Sequence, residues 1–96
     1  MRILLNVEID TAKGNELIKA GKMGEVMEGL VGKLKPEAAY FYARNGCRAQ
    51  TFVVDVPDAA SLPSLAEPFW GQLGARVEAL PCMNAEELRE GIGRLG

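Results

Sequence analysis

The sequence predicts an α+β domain in which one antiparallel sheet carries helices on one of its faces. Three observations predict it. Residues 3–9 alternate branched apolar side chains with others, Asn45-Gly46 divides two strand-like runs, and apolar residues at helical spacing lie both before and after that pair. A chain of 96 residues is one domain; halves of it would be too short to bury separate cores.

The elements follow in order. In Ile3-Leu4-Leu5-Asn6-Val7-Glu8-Ile9 the odd positions are all branched and apolar, and the even ones turn polar after Leu4, which predicts a strand with one buried face. Asp10 and Thr11 offer a helix N-cap. From about Leu17 the residues Ala20, Met23, Met27, Leu30, Val31 and Leu34 continue a helical stripe that Pro36 closes. Gly21, Gly24, Gly29 and Gly32 fall within it, each costing up to ~1 kcal/mol of helix propensity, so this helix depends on packing and its glycines are expected to admit a close neighbour. Ala38–Arg44 and Cys47–Val56 are strands joined by Asn45-Gly46, a pair suited to a two-residue turn that needs positive φ at both positions. That turn sets the register: Arg44 opposite Cys47, Tyr42 opposite Ala49, Tyr40 opposite Thr51, Ala38 opposite Val53. Phe41, Ala43, Arg48, Gln50, Phe52, Val54 and Val56 then share the face expected to meet the helices.

After Pro57-Asp58 a second helix is expected from about Ser61 to Leu73, with Leu62, Leu65, Phe69 and Leu73 on its stripe and Gly74 as C-cap. Pro63 suits its first turn; Pro68 predicts a break or kink. Ala75–Leu80 is a fourth strand, with Val77 and Ala79 on one side and Arg76, Glu78 and Leu80 on the other. Asn84-Ala85-Glu86-Glu87 has the form of a capping box, followed by Leu88, Ile92 and Leu95 on a short terminal helix. The order β-α-β-β-α-β is that of the ferredoxin-like plait, here with an extra C-terminal helix.

Composition removes several functions. Histidine is absent, which excludes His-based triads, His-ligated zinc and a proximal His for haem. Lys and Arg number 11 against 13 Asp and Glu, and Lys13, Lys19, Lys22, Lys33 and Lys35 are interspersed with Glu16, Glu25 and Glu28, so no basic stripe for nucleic acid is expected. No apolar run is long enough to span a bilayer, and Met1–Asp10 does not have the form of a secretory signal, so no membrane partner is expected. Cys47 and Cys82 lack CxxC spacing and are placed at opposite ends of the sheet; no disulfide is expected, and free thiols fit a cytoplasmic location. No glycine-rich phosphate loop, metal-ligand set or cofactor motif is present.

The second face of the sheet carries Leu4, Asn6, Glu8, Tyr40, Tyr42, Ala49, Thr51, Val53 and Leu80. Two tyrosines, two leucines and a valine form a patch that a lone subunit would leave in water, and a second copy stacked sheet to sheet would bury it. The expected assembly is a homodimer. Polar groups enclosed in such an interface need partners or water, and an apolar cavity with a few polar groups is also the usual form of a small-molecule site.

Over nearly its whole length the chain resembles the dimeric α/β-barrel superfamily, and within it the muconolactone isomerase-like group of small bacterial proteins, many without an assigned activity. The matching segments are Phe52-Val53-Val54-Asp55-Val56-Pro57, then Leu62 to Leu65, then Pro68-Phe69-Trp70, then Val77-Glu78. The resemblance implies a dimeric barrel with a cavity between the sheets. The superfamily also holds cofactor-free monooxygenases, polyketide cyclases, haem-degrading enzymes and ligand-sensing domains; the missing histidine sets this chain apart from the haem-degrading branch.

Glu8 is the candidate base, because an enclosed carboxylate can move a proton between two carbons without a cofactor; its other reading is a sheet-edge carboxylate in water or paired with an Arg. Tyr40, Tyr42 and Arg44 share one face, where they would clasp an aromatic or carboxylate-bearing ligand, or serve dimer packing and solvation. Asn6 would orient a carbonyl or enolate oxygen, or pair across the interface, and Thr51 completes the ligand-facing set. The expected function is binding of a small, partly apolar organic molecule between the sheets, with isomerase- or cyclase-like proton transfer. The alternative is a non-catalytic ligand-binding or structural interaction module.

Overall fold

The sheet is built around β1 (Arg2–Glu8). The computed structural model describes residues 1–96, and its elements are β1, α1 (Thr11–Lys19), α2 (Met23–Leu34), β2 (Ala38–Arg44), β3 (Cys47–Asp55), a 3-10 turn at Ala59–Ser61, α3 (Leu62–Leu73), β4 (Arg76–Pro81) and α4 (Ala85–Gly93). The strand order is β2-β3-β1-β4, with every neighbouring pair antiparallel. This is an α+β fold of the ferredoxin-like kind.

β1 bonds to β3 on one side and β4 on the other, so its alternation decides what each face of the sheet carries. Ile3, Leu5 and Val7 are 1%, 0% and 1% exposed and form the core with Phe52, Val54, Phe69 and Leu73. Phe52 on β3 and Phe69 on α3 meet with ring centroids 5.7 Å apart. The β2–β3 hairpin has the register that the Asn-Gly turn dictates: Arg44 opposite Cys47, Tyr42 opposite Ala49, Tyr40 opposite Thr51 and Ala38 opposite Val53. Asn45 and Gly46 have φ of 53° and 73°, the positive values a tight right-twisted hairpin requires.

Several local expectations need correction. The stripe expected to run as one helix to Leu34 is two helices. α1 begins at Thr11, capped by the Asp10 side chain, which accepts from the Lys13 amide at 3.0 Å. It stops at Lys19, and Gly21 takes φ 68° to turn the chain into α2. Glycine is the residue that adopts this backbone without a Cβ penalty. The other glycines of the stripe admit no close neighbour: a Cβ at Gly24, Gly29 or Gly32 would meet nothing within 4 Å. Close approach occurs instead at buried Gly14, where a Cβ would lie 2.7 Å from an Arg48 guanidinium nitrogen. α3 runs unbroken through Pro68, because Ala66, Phe69 and Leu73, on either side of the proline, are all anchored in the core. Its C-cap is Gly74 and the capping box at Asn84 and Glu87 is fully formed. Phe41 shares a face with the core residues yet is 60% exposed, because β2 is an edge strand that the helices do not cover; its ring meets Phe52 edge-on at 5.9 Å.

Two substitutions separate backbone strain from packing. Gly46→Ala should lower stability by about 1 kcal/mol, since its Cβ meets nothing and the cost lies in positive φ. Gly29→Ala, in an exposed helical position, should raise stability by up to ~1 kcal/mol. Urea unfolding of both variants beside the wild type measures the two signs.

Candidate functional site

The even-numbered side chains of β1 define the open face of the sheet. Cross-strand pairing sets them in rows: Ala38, Val53, Leu4 and Leu80; then Tyr40, Thr51, Asn6 and Glu78; then Tyr42, Ala49, Glu8 and Arg76. The first row is apolar. Toward the hairpin the rows become polar and charged, and Arg44 stands beyond them opposite Cys47.

A directed hydrogen-bond chain crosses the middle of this face. The Asn6 amide nitrogen donates to Glu78 Oε1 at 3.0 Å, and Thr51 Oγ1 donates to Asn6 Oδ1 at 2.8 Å. Thr51 has thereby used its proton, so Tyr42 is the donor in the bond between the two hydroxyls. The carboxylate at the far end fixes the orientation of the Asn6 amide, since a flipped amide would set oxygen against oxygen. Asn6 is thus a coupling residue between β3 and β4.

Glu8 belongs to a second cluster. Its Oε1 accepts from Asn45 Nδ2 at 3.0 Å and lies 3.7 Å from Arg44 Nε. Its side chain is 18% exposed against 51% for Arg44, so the carboxylate is the enclosed partner and the guanidinium the wet one. Asn45 therefore serves both the turn and the Glu8 carboxylate. Arg76 faces Glu8 from β4.

Asn6, Glu8, Tyr42, Arg44, Arg76 and Glu78 line a cleft of about 170 Å³, with Val7 and Val77 completing it. Of the side chains that the sequence singled out, the fold brings Asn6, Glu8, Tyr42 and Arg44 into this cleft and joins Thr51 to it through hydrogen bonds. Tyr40 stands outside the lining and is 70% exposed. Arg76 and Glu78 carried no role in the sequence reading. The signal for them was available: they alternate with Val77 on β4, and pairing β4 with β1 sets them beside Glu8 and Asn6.

The cleft holds two carboxylates and two guanidinium groups, with amide and hydroxyl donors between them. Such a set offers both hydrogen-bond donors and acceptors within one small cleft. Cys47 and Cys82 are free thiols at opposite ends of the sheet. No helix is long and apolar enough to cross a membrane. The sequence matches no protein-family model and no curated protein.

The hydrogen-bond chain predicts energetic coupling within it. A double-mutant cycle of Asn6→Ala with Thr51→Ala should give a coupling of about 1 kcal/mol. The same cycle of Asn6→Ala with Tyr40→Ala should give close to none, because no bond joins that pair. Chemical denaturation of the single and double variants measures both.

Proposed function

We propose that two copies of this chain pair through their open sheet faces as a dimeric α/β barrel. The enclosed clefts would bind a small, partly apolar organic acid. One observation carries the reading: a sheet face on which an apolar row lies beside a prearranged, charge-balanced polar cluster. Tyr40, Tyr42 and Leu80 are 70%, 41% and 41% exposed in the single subunit, an arrangement that covering would stabilise. A second sheet stacked about 10 Å away would close the cleft from above and shield its charges from water. The resemblance to the muconolactone isomerase-like group agrees with this assembly.

Within the closed cavity Arg44 and Arg76 would hold the ligand carboxylate, and Tyr42 and Asn6 would position its body or a carbonyl oxygen. Glu8 Oε2, the oxygen that Asn45 does not engage, would accept a proton from an activated carbon. Returning that proton two carbons away while the double bond shifts completes an isomerisation with no redox change. A second reading has an observation in its favour. Glu8 is already engaged by Arg44 and Asn45, which suits a fixed binding wall as well as a base, and the protein would then be a ligand-binding module.

Light scattering at micromolar concentration should give twice the chain mass. Tyr42→Asp should lower that mass or unfold the chain, whereas Lys22→Glu, on an exposed position of the helical side, should change neither. Millimolar benzoate, an apolar carboxylate probe, should raise the melting midpoint of the wild type and not that of Arg76→Ala. A monomeric wild type would contradict the assembly, and no benzoate shift would contradict the acid-binding cleft. Once a turned-over ligand is found, Glu8→Gln should abolish turnover and leave binding intact; full turnover would remove Glu8 as the base.

A further inference from the structure

The helix-covered face of the sheet holds a buried polar group that the open-face cleft does not use. Gln50 on β3 is 1% exposed and is the one polar side chain buried in the subunit. It stands between Val7 of β1 and Phe41 of β2, with the parity of Phe52 and Val54. Its Oε1 and Nε2 are both shut off from bulk water, and neither has a partner in the chain. A buried donor and acceptor left unpaired carry their full desolvation cost. A methionine of similar length would fill the position without that cost.

Gln50 also lines a groove between α2 and the uncovered edge strand β2. The groove measures about 370 Å³, within the span of small-molecule sites, about 300–1,000 Å³. Met23 and Met27, one helical turn apart on α2, form one wall, and Phe41 forms the other. Phe41 meets Phe52 edge-on at 5.9 Å and is still 60% exposed, so it offers an anchored aromatic surface. Arg48 stands at the hairpin end, its guanidinium donating to Asn15 Oδ1 at 3.1 Å. The groove thus has apolar walls and an unpaired amide beneath them.

The amide sets the chemistry of an occupant. A primary amide presents a donor and an acceptor side by side, and exchanging its oxygen and nitrogen leaves that pair in place. Its complement is a group with an acceptor beside a donor, as in a lactam or a carboxamide. A carboxylate does not match, because one of its oxygens would face Oε1. The thioether and phenyl walls suit a flat apolar ring.

We propose that this groove binds a neutral aromatic lactam or carboxamide, paired with Gln50 through two hydrogen bonds and stacked on Phe41. Met23 and Met27, unbranched and adaptable, shift to admit it. The site lies on the opposite face of the sheet from the open cleft and does not require two copies to pair.

The test uses the full isotope-labelled chain with millimolar 2-quinolone, a bicyclic lactam, and 2-methoxyquinoline, the same ring system without the N–H donor. By NMR, 2-quinolone should move the Gln50 side-chain N–H resonances downfield, and 2-methoxyquinoline should bind at least tenfold more weakly without that shift. Gln50→Met, which keeps the volume, should melt no lower than the wild type and bind 2-quinolone at least tenfold more weakly. Arg76→Ala, in the open cleft, should bind 2-quinolone unchanged. Equal responses to the two probes overturn the proposal. So does no response to either, the amide then being met by resident water alone. Unaltered binding in Gln50→Met, or binding lost in Arg76→Ala, places the probe elsewhere and overturns it too. If Gln50→Met fails to fold, the comparison of the two probes on the wild type decides.

Discussion

The alternation of β1 is the constraint on which the rest of the molecule depends. Its backbone is bonded on both sides, to β3 and to β4, so the strand cannot rotate or slip without breaking two ladders. Its odd residues fill the core with almost no exposure. A one-residue slip would exchange Ile3, Leu5 and Val7 for Leu4, Asn6 and Glu8, burying an amide and a carboxylate under the helices. The hydrophobic preference of three side chains thereby fixes the location of the polar ones. The cleft is a consequence of the core: Asn6 and Glu8 face the open side because their neighbours cannot.

That logic explains how much was legible in the sequence. The Asn45-Gly46 turn sets the antiparallel pairing β2–β3 and which of their residues share a face, period-two alternation in residues 3–9 sets the two faces of β1, and the β-α-β-β-α-β order implies the sheet that joins them. Asn6, Glu8, Tyr42, Arg44 and Thr51 could therefore be placed on one surface before any coordinates. The helical layer was less legible. Gly21 breaks a stripe whose apolar spacing continues through it, because spacing reports which face is buried and carries no record of backbone φ. Pro68 does not break its helix: a missing backbone donor is a local cost, and α3 continues through it with Ala66, Phe69 and Leu73 buried on either side, contacts that only the tertiary structure reveals. Arg76 and Glu78 share one side of β4 by their alternation with Val77, but which residues they face follows from pairing with β1, a long-range contact.

The open face is banded. Its apolar row, Ala38, Val53, Leu4 and Leu80, lies between the Arg2 and Asp55 pair at the end where α4 departs and the charged cluster at the hairpin end. The two positive and two negative charges of the cleft balance, so covering the face would not bury a net charge. Uncompensated burial is the costly case; paired and hydrogen-bonded burial is tolerable. Asn6 has spent its amide on Glu78 and Thr51, and Asn45 has spent its donor on Glu8. The groups that retain free valence are the Arg44 and Arg76 guanidinium groups and the unengaged oxygens of the two carboxylates, and these are the atoms a ligand would meet.

Arg2 unites this arrangement with the C-terminal helix. Its hydrogen bond to Glu37, together with the charges of Glu37 and Glu87, holds its guanidinium protonated more firmly than usual against the opposing cost of desolvation. Both contacts are exposed, so the ion pairs themselves add little to stability. Their consequence is geometric. A nine-residue helix is marginal in water when left to itself. α4 is nevertheless set by its capping box and tethered at its first turn to the central strand. Arg2 itself sits one step along β1 from the core residue Ile3, so the position of α4 is tied to the alternation that places the cleft.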